Sequence, residues 1–450
     1  MNPAYLEDAS GYKGHAEALF VPENEAELQA VLRDANEKRI PVTIAGAGTG
    51  LTGARVPQGG WVVSLEKFRD IQIGDGEAVV GAGVLLRDLQ SAAIRTRLFY
   101  APDPTESAAS IGGTIACNAS GSRSFLYGDT RRHVLAIRVA TMDGEIHAYQ
   151  RREPIDFETQ AIRRPATTKH SAGFLLHPGM DWLDLFIGSE GTLGAVTQAT
   201  VRLLKTVEVL AGVIFFSSDA DALNAVEAWR PIPHLRMLEY FDAGSLDMLR
   251  TKDNGLPPNA RAALLIELED RDEDETDAAL EVLNASNALM EQSWFASREL
   301  ELRRFAKFRH SLPEAVNNMV RQRGLQKMGT DFAVPIARNE EMMAFYRERL
   351  EAEFPGQYVI FGHIGDAHVH VNVLPRDGEE SERAKALMAE LARKAVSLGG
   401  TVGAEHGLGK RKASLLQIQY TPEEIEAMKA VKRRLDPNWL LGRGTLFAAE

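Results

Sequence analysis

Three histidines and an asparagine alternate along one short stretch, Phe361–Asn372, which reads FGHIGDAHVHVN. Gly365-Asp366 between two apolar runs predicts a two-residue hairpin turn, with the glycine supplying a positive φ. Such a turn places Phe361 opposite His370 on the neighbouring strand. Because side chains alternate along a strand, the polar members of the stretch all project to one face. These members are His363, His368, His370 and Asn372.

The three imidazoles predict a metal site, because polar side chains gathered on one strand face are costly to leave without partners. Further along the chain, Glu405 and His406 stand between Gly403 and Gly407, and these glycines let the backbone bend both side chains into one space. Two imidazoles, a carboxylate and an adjacent base form the donor set of an open catalytic metal site. Two simpler interpretations stay open: a structural histidine satisfied within its strand, and a surface loop with a chance acid–base pair.

The composition is that of an ordinary globular protein and argues against several classes. The chain has 450 residues, enough for two or three domains, and its net charge of −12 makes a nucleic-acid partner unfavourable. Its single cysteine, Cys117, excludes an internal disulfide and makes a reducing cytoplasm the simplest setting. No run approaches the ~18 apolar residues of a membrane span. The first residues also lack the basic and apolar regions of a signal peptide.

The glycine-richest stretch, Gly46–Gly53, follows a short predicted strand at Val42–Ala45. Its G-x-G-x-x-G spacing matches the dinucleotide fingerprint of a Rossmann fold. The context contradicts that fold, because a second strand, Trp61–Leu65, follows almost at once and no helix opens on the glycines. The loop can still cradle a pyrophosphate with its backbone N–H groups; a plain tight turn is the alternative.

Two further stretches of small residues occur in the first half, at Ser110–Gly121 and Gly188–Gly194. In the first of them, the lack of bulky side chains suggests backbone packed against a flat ligand or another backbone. Each stretch alone is a weak signal. Three of them within half a chain indicate a large, extended cofactor.

The second half alternates predicted strands with helices and indicates an α+β layer of mostly antiparallel strands. The strands are predicted at Val209–Phe216, Leu235–Tyr240, Ala262–Leu268 and Gln326–Pro335. The histidine hairpin is expected to join the same sheet. A long, largely helical stretch at Trp294–Val320 carries Arg309.

Together, these motifs resemble the FAD-linked D-2-hydroxyacid dehydrogenases of the vanillyl-alcohol-oxidase flavoprotein superfamily, a group that includes D-lactate, glycolate and D-2-hydroxyglutarate dehydrogenases. The resemblance covers about residues 16–447. It rests on the segments Gly46–Gly53, Ile111–Arg123 and Gly188–Gly194, on His363-x-Gly-Asp-x-x-x-His370-x-Asn372, and on Ala404-Glu-His-Gly-x-Gly409.

The resemblance implies an α+β protein with a two-part FAD-binding domain of the PCMH type. This domain is expected at residues 1–206, followed at 207–415 by an α+β cap domain with an antiparallel sheet. Residues 416–450 are expected to return to the FAD-binding domain. The resemblance leaves a homodimer open.

The implied reaction is oxidation of a small D-2-hydroxy acid to the 2-oxo acid, with hydride transfer to the flavin N5. His363, His370 and Glu405 would bind a divalent metal, zinc or manganese, and His406 would act as the base. Substrate contacts are expected from Arg309, from Lys327 eighteen residues later, from Asn372 and from His368. Flavin contacts are expected from Gly46, Ala47, Gly48, Thr49, Gly50, Leu51, Thr52, Pro102, Gly113, Ala116, Asn118, Gly121, Glu190, Gly191 and Val196.

The sequence departs from the family pattern in several places. Pro313 replaces a substrate-binding threonine, His368 replaces a common asparagine, and Leu441–Gly444 replaces an Asn-Pro-Gly motif. The glycine loop has no histidine for covalent flavin attachment, which implies noncovalent FAD. Two rival functions remain: a phenol or sugar oxidase of the same superfamily, and a flavin subunit without independent turnover. A quinone, a cytochrome and an electron-transfer flavoprotein all remain as electron acceptors.

Overall fold

Strands and helices alternate along the part of the chain that the computed structural model describes, residues 2–271 and 273–448. The strands are β1 Ala18–Phe20, β2 Val42–Ala45, β3 Trp61–Ser64, β4 Ile71–Ile73, β5 Glu77–Gly81, β6 Leu98–Phe99, β7 Val134–Ala140, β8 Ile146–Gln150, β9 Ala195–Arg202, β10 Leu204–Lys205, β11 Val209–Phe216, β12 Leu235–Phe241, β13 Ala262–Glu269, β14 Trp294–Ala296, β15 Met328–Gly329, β16 Tyr358–Gly362 and β17 His370–Val373. The α-helices are α1 Glu25–Glu37, α2 Leu86–Ile94, α3 Ile111–Cys117, α4 Ser124–Tyr127, α5 Trp182–Phe186, α6 Asp219–Trp229, α7 Ala243–Arg250, α8 Glu273–Ala285, α9 Glu299–Gln322, α10 Asn339–Glu353, α11 Gly378–Ser397, α12 Leu416–Gln419 and α13 Pro422–Leu435. Short 3-10 helices lie at Pro3–Tyr5, Thr130–Arg132, Met290–Gln292, Ile336–Arg338, Ile364–Asp366 and Ala413–Leu415.

The first half of the chain contains a small parallel sheet and a larger antiparallel one. The parallel sheet has the order β1-β3-β2, and the antiparallel sheet has the order β4-β5-β9-β7-β8. Strands β2 and β3 run parallel although no helix connects them, and the glycine loop occupies the crossover. The prediction of a strand, a glycine loop and a strand, rather than a Rossmann unit, is therefore confirmed.

The second half forms a seven-stranded sheet with the order β14-β11-β13-β12-β16-β17-β15, and its pairings are antiparallel. Helices cover both faces of this sheet. Alternate residues of one strand point to opposite faces and therefore enter different hydrophobic clusters. On β11, Ile214 and Phe216 pack in the cluster that contains α6 residues, whereas Val213 and Phe215 pack in the cluster with α7 and α9. The predicted antiparallel α+β layer is confirmed.

The histidine hairpin has the predicted register but a different turn. Phe361 pairs with His370, as expected. The chain turns through the 3-10 helix Ile364–Asp366, and the residue with positive φ is Ala367 at 51°, not Gly365. Gly365 is needed for another reason: a Cβ there would lie 2.9 Å from the ring of Phe125. The prediction of a two-residue turn was wrong because it considered only local φ preferences and not this packing.

One further prediction of secondary structure needs correction. The strand predicted at Gln326–Pro335 shrinks to β15, Met328–Gly329, and Ala333 instead forms single bridges with His368 and Thr401. The small-residue stretch after Ser110, predicted to pack its backbone against a flat ligand or another backbone, forms helix α3. Small residues serve close packing there, since a Cβ on Gly112 would lie 2.7 Å from Ala82.

The end of the chain packs beside the first sheet. The Val42 N–H donates to the Leu440 carbonyl at 2.8 Å, and the Gly442 N–H donates to the Val42 carbonyl at 2.9 Å. Leu441 thus forms a parallel bridge with β2. No helix in the described part of the chain combines the length and apolar composition that crossing a membrane requires.

Candidate active site

The histidine hairpin brings its three imidazoles together, as predicted. Gly362, at the end of β16, makes room for one of them, because a Cβ there would lie 2.8 Å from the ring of His370. The ring centroids of His363 and His368 are 5.2 Å apart, and those of His368 and His370 are 4.6 Å apart. Burial lowers the pKa of His370 and of His368 to about 4. Both rings are therefore neutral at pH 7, which is the form that binds metals.

Glu405 supplies a carboxylate at the centre of these rings. Its Oε1 lies 3.1 Å from Nε2 of His363, 3.5 Å from Nε2 of His370 and 3.7 Å from Nε2 of His406. Burial opposes its ionisation, but the Lys169 ammonium and His363 hold the pKa of Glu405 well below its ordinary value. An ionised oxygen therefore faces three imidazoles.

The other oxygen of Glu405 is anchored by the first half of the chain. Its Oε2 accepts hydrogen bonds from Ser120 Oγ at 2.8 Å and from the Gly121 N–H at 3.0 Å. Lys169 Nζ lies 3.5 Å from the same oxygen. Ser120 and Lys169 are not predicted from the sequence, because no local pattern distinguishes a single serine or lysine in a segment without regular structure. Their only signal is the long-range contact.

Asp331 bends the segment that carries Glu405 and His406. Its Oδ2 accepts the backbone N–H groups of Ala404 at 3.1 Å, Glu405 at 3.3 Å and His406 at 2.9 Å. Its Oδ1 lies 3.3 Å from Nδ1 of His406. Gly407, with φ +70°, completes the bend. The side chains of Glu405 and His406 thus lie side by side, which an extended segment would not allow.

His406 is the most accessible ring of the cluster. Its side chain is 24% exposed, compared with 2% for His363, 0% for His368 and 14% for His370. Burial lowers the pKa of His406 below its ordinary value, although Asp331 and Glu405 oppose the shift. The ring is therefore a neutral proton acceptor at the open side of the site.

Glu239 on β12 connects the cluster to a predicted substrate-binding residue. Its Oε1 pairs with Nδ1 of His363, and its Oε2 accepts a hydrogen bond from Arg309 Nε at 2.8 Å. Burial alone would raise the pKa of Glu239, but Arg309 and His363 hold it far below its ordinary value. Burial likewise favours neutral His363, yet Glu239 leaves the pKa of His363 raised. The ring is thereby oriented with Nε2 towards Glu405.

The donor set fits a single divalent ion. One ligand atom from each of His363, His368, His370 and Glu405 lies within 4.8 Å of all the others. This spacing suits an ion with ligand distances of about 2.0–2.2 Å, and imidazoles with one carboxylate are donors that zinc accepts.

The predicted substrate-binding residues lie on elements around this cluster. Arg309 is only 11% exposed and so is not a surface charge; its Nη1 donates to Thr105 Oγ1 at 2.9 Å. Asn372 donates to the His370 carbonyl at 3.3 Å, and its Oδ1 has no partner among the described residues. Partial burial and the nearby Lys412 ammonium lower the pKa of Lys327 to about 8. Pro313 lies inside α9, one turn after Arg309.

The glycine loop presents free donors suited to a diphosphate. Among the described residues, none accepts a hydrogen bond from the backbone N–H groups of Gly48, Thr49, Gly50 or Leu51. The Ala47 N–H donates to Ser110 Oγ at 3.3 Å, and a Cβ on Gly46 would lie 2.7 Å from that oxygen. Unpaired N–H groups on glycine-rich backbone are the chemistry that binds a pyrophosphate.

The glycine loop is also joined directly to the catalytic segment. Thr52 Oγ1 donates to the His406 carbonyl at 3.3 Å, and the Thr52 carbonyl accepts the N–H groups of Lys410 and Arg411 at 3.0 Å each. Glu190, from the third small-residue stretch, accepts the N–H groups of Leu408 at 2.9 Å and Gly409 at 2.8 Å. The predicted flavin segments and the metal-type cluster therefore meet at one place.

The structure gives several predicted flavin contacts a structural role. Asn118 Nδ2 donates to Asp129 at 2.8 Å, and its Oδ1 accepts the Arg131 N–H at 3.0 Å. The Ala116 carbonyl accepts the Glu190 N–H at 2.8 Å. The remaining predicted contacts also lie in the first half: Pro102 in an irregular segment, Gly113 in α3, Gly191 in a turn and Val196 in β9.

Comparison with protein families identifies the two halves. Residues 16–149 match a family described as an FAD binding domain, and residues 192–446 match the C-terminal domain of FAD linked oxidases. The chain belongs to the FAD-linked oxidase family. For this FAD-linked oxidase, the resemblance recognised in the sequence and the predicted fold class are both confirmed.

Curated relatives cover almost the whole FAD-linked oxidase chain. It is 31% identical to the glycolate oxidase subunit GlcD of Bacillus subtilis, covering 98% of this chain and 90% of that one. It is 33% identical to a D-lactate dehydrogenase of Archaeoglobus fulgidus, covering 94% and 89%. It is 30% identical to a D-2-hydroxyglutarate dehydrogenase of Xanthomonas citri, covering 96% and 89%.

Solved structures show the same fold at low sequence identity. An alkyldihydroxyacetonephosphate synthase superposes with a TM-score of 0.67 at 15% identity, covering 94% of this FAD-linked oxidase and 75% of that chain. This likeness supports the fold alone.

Proposed function

We propose that this FAD-linked oxidase oxidises a D-2-hydroxy acid to the 2-oxo acid, using noncovalent FAD and a divalent metal ion, zinc or manganese. The observation that carries the proposal is the hydrogen bond at 3.3 Å from Thr52 Oγ1 to the His406 carbonyl, which joins the glycine loop to the catalytic segment. The names of the relatives, which include glycolate, D-lactate and D-2-hydroxyglutarate enzymes, support a 2-hydroxy acid substrate.

His363, His370 and Glu405 hold the ion in this proposal. Bound FAD would supply a hydride acceptor for the substrate Cα, and a divalent ion would supply positive charge that lowers the pKa of the substrate hydroxyl. Ser120 and Gly121 anchor Oε2 of Glu405, so that Oε1 stays directed towards the imidazoles. Glu239 keeps the His363 ring oriented from its far side.

His406 acts as the general base and takes the hydroxyl proton at Nε2. Its Nδ1 lies 3.3 Å from Asp331 Oδ1, which favours the tautomer with the proton on Nδ1 and leaves Nε2 free to accept. The exposed edge of this ring supports its role towards substrate, because the other imidazoles are more deeply buried.

Lys327 and Arg309 bind the substrate carboxylate in this proposal. In Arg309, Nε donates to Glu239 and Nη1 donates to Thr105. Nη2 makes no hydrogen bond to any residue in the described part of the chain. A guanidinium held at two of its nitrogens is rigid and offers the third to a ligand at little entropic cost. Asn372 contributes an unpartnered Oδ1 to the same region.

The test is anaerobic reduction of the bound flavin by glycolate, D-lactate, L-lactate and D-2-hydroxyglutarate, each with and without a metal chelator. We expect yellow protein whose FAD is released by acid, reduction by a D-2-hydroxy acid but not by L-lactate, and loss of reduction after chelation. Protein that binds no FAD, or that shows no reduction by any member of the panel, would refute the proposal. Full activity in metal-free enzyme would refute the metal.

The reduced flavin is proposed to pass its electrons to a quinone, a cytochrome or an electron-transfer flavoprotein. Reoxidation rates with one representative of each class would identify the acceptor.

The free thiol of Cys117 supports the cytoplasm, a reducing compartment, as the setting. The mass of the purified protein by light scattering would test the homodimer.

A further inference from the structure

His368 is the most enclosed ring of the histidine cluster, and it has no hydrogen bond. Its side chain is 0% exposed, and neither ring nitrogen forms a hydrogen bond with any described residue. Asp331 Oδ1 lies 3.1 Å from Nε2, but Oδ1 also has no hydrogen bond, so the two groups are close without being aligned. Buried polar groups are normally paired, and an orphaned imidazole in a protein interior needs an explanation.

The backbone holds this ring in place at the centre of the hairpin. The His368 N–H donates to the His363 carbonyl at 3.1 Å, directly after Ala367 in its left-handed conformation. A single bridge pairs His368 with Ala333 on the other side. The fold therefore holds the ring beside the Asp331 carboxylate.

One nitrogen of the His368 ring lies within 4.8 Å of the ligand atoms of His363, His370 and Glu405. A metal ion bound by this nitrogen would give the nitrogen a partner without any change in the backbone. The alternative is that His368 only provides a donor for Asp331, which in turn positions His406.

We propose that His368 is a third imidazole ligand, so that the site offers three nitrogen donors and one carboxylate. This inference rests on the metal of the proposed function. Three imidazoles favour zinc or cobalt over manganese, which prefers oxygen donors.

The test compares metal binding by FAD-loaded wild-type enzyme and the His368→Asn variant, after removal of metal and titration with Zn²⁺ and Mn²⁺ against a chromophoric chelator. We expect the Zn²⁺ affinity of His368→Asn to fall by at least about 100-fold and the Mn²⁺ affinity to fall much less, because one nitrogen donor is lost. The Co²⁺-loaded variant should also show a changed visible spectrum beyond the flavin bands. Equal losses for both metals, or none, would overturn the proposal.

His170→Gln is the matched control for removal of a partly buried imidazole. Its ring nitrogens already pair with Thr401 Oγ1 at 2.8 Å and Tyr420 Oη at 2.9 Å, outside the ligand set. This variant should keep wild-type Zn²⁺ affinity; a loss like that of His368→Asn would mean that buried histidines matter only for general stability and would overturn the assignment.

X-ray absorption of the Zn²⁺-loaded wild-type enzyme gives a second answer that does not depend on a variant folding. Three imidazoles around the ion would support His368 as a ligand, and two would overturn it. Wild-type enzyme that binds no metal would end both this inference and the metal of the proposed function. Flavin reduction that needs metal, with only two imidazoles bound, would end this inference alone.

Discussion

Lys169 Nζ lies 3.5 Å from Glu405 Oε2, although the two residues are 236 positions apart in the chain. The Lys169 side chain is 0% exposed, and its ammonium also lies 3.4 Å from Asp366 Oδ2 and donates to the Gly121 carbonyl at 3.1 Å. A lysine from the first half of the protein thus offsets the charge of two carboxylates beside the histidine cluster. The contact couples assembly of the site to docking of the two halves.

Lys169→Met is expected to lower the unfolding free energy of the metal-free enzyme by about 3–5 kcal/mol, because it leaves buried carboxylates without their cation. Zn²⁺ should restore part of this loss, since the ion supplies positive charge to the same oxygens. Urea denaturation with and without Zn²⁺ measures both effects. Lys385→Met is the control, because Lys385 pairs with Glu382 at 2.6 Å on the exposed surface and should matter little. A Lys169→Met protein as stable as wild type would contradict the prediction.

Glu239→Gln is expected to lower metal affinity by about 10–100-fold, because the His363 ring loses the carboxylate that orients it. Chelator competition measures the affinity. The matched surface variant is Glu390→Gln, which removes a carboxylate 2.7 Å from Arg349 far from the cluster and should leave metal binding unchanged. Unchanged affinity in Glu239→Gln would show that packing alone orients the ring.

His406→Ala is expected to retain FAD and metal but to reduce the flavin about 10²–10⁴-fold more slowly, because the general base is missing. Stopped-flow absorbance gives the rate, and metal analysis of the same sample gives the occupancy. Loss of the metal would make His406 a ligand instead. Retained metal with near-normal reduction would end its role in proton transfer.

Substrate affinity should depend on the ionisation of Lys327, whose pKa is lowered to about 8 by burial and the nearby Lys412. Below that pH the ammonium is charged and binds a carboxylate; above it the charge is lost. We therefore expect KM for the hydroxy acid to rise as pH increases through about 8, by up to about tenfold per pH unit. Lys327→Arg should flatten this rise, because a guanidinium stays charged. An identical pH profile in both enzymes would assign the effect to another group.

Much of the candidate site could be predicted because its ligands follow local rules. The predicted pairing of Phe361 with His370 is found, and His363 and His368 join His370 although both lie between the two strands. Helix α10, Asn339–Glu353, was not predicted, although its buried Met342, Tyr346 and Leu350 recur at intervals of four, as on one face of a helix. Such features depend only on neighbours within a few positions.

The sequence by itself determined the fold class, the flavin-type glycine loop and the residue types that gather at the histidine hairpin. Only the tertiary structure decided which groups anchor them: Lys169 and Ser120 on Glu405, Asp331 on the segment of His406, and Glu239 on His363. Periodicity reports which side of an element is buried, because that depends on adjacent residues. It carries no information about which distant carboxylate or ammonium comes within hydrogen-bonding distance, since that is set by how whole elements pack against one another.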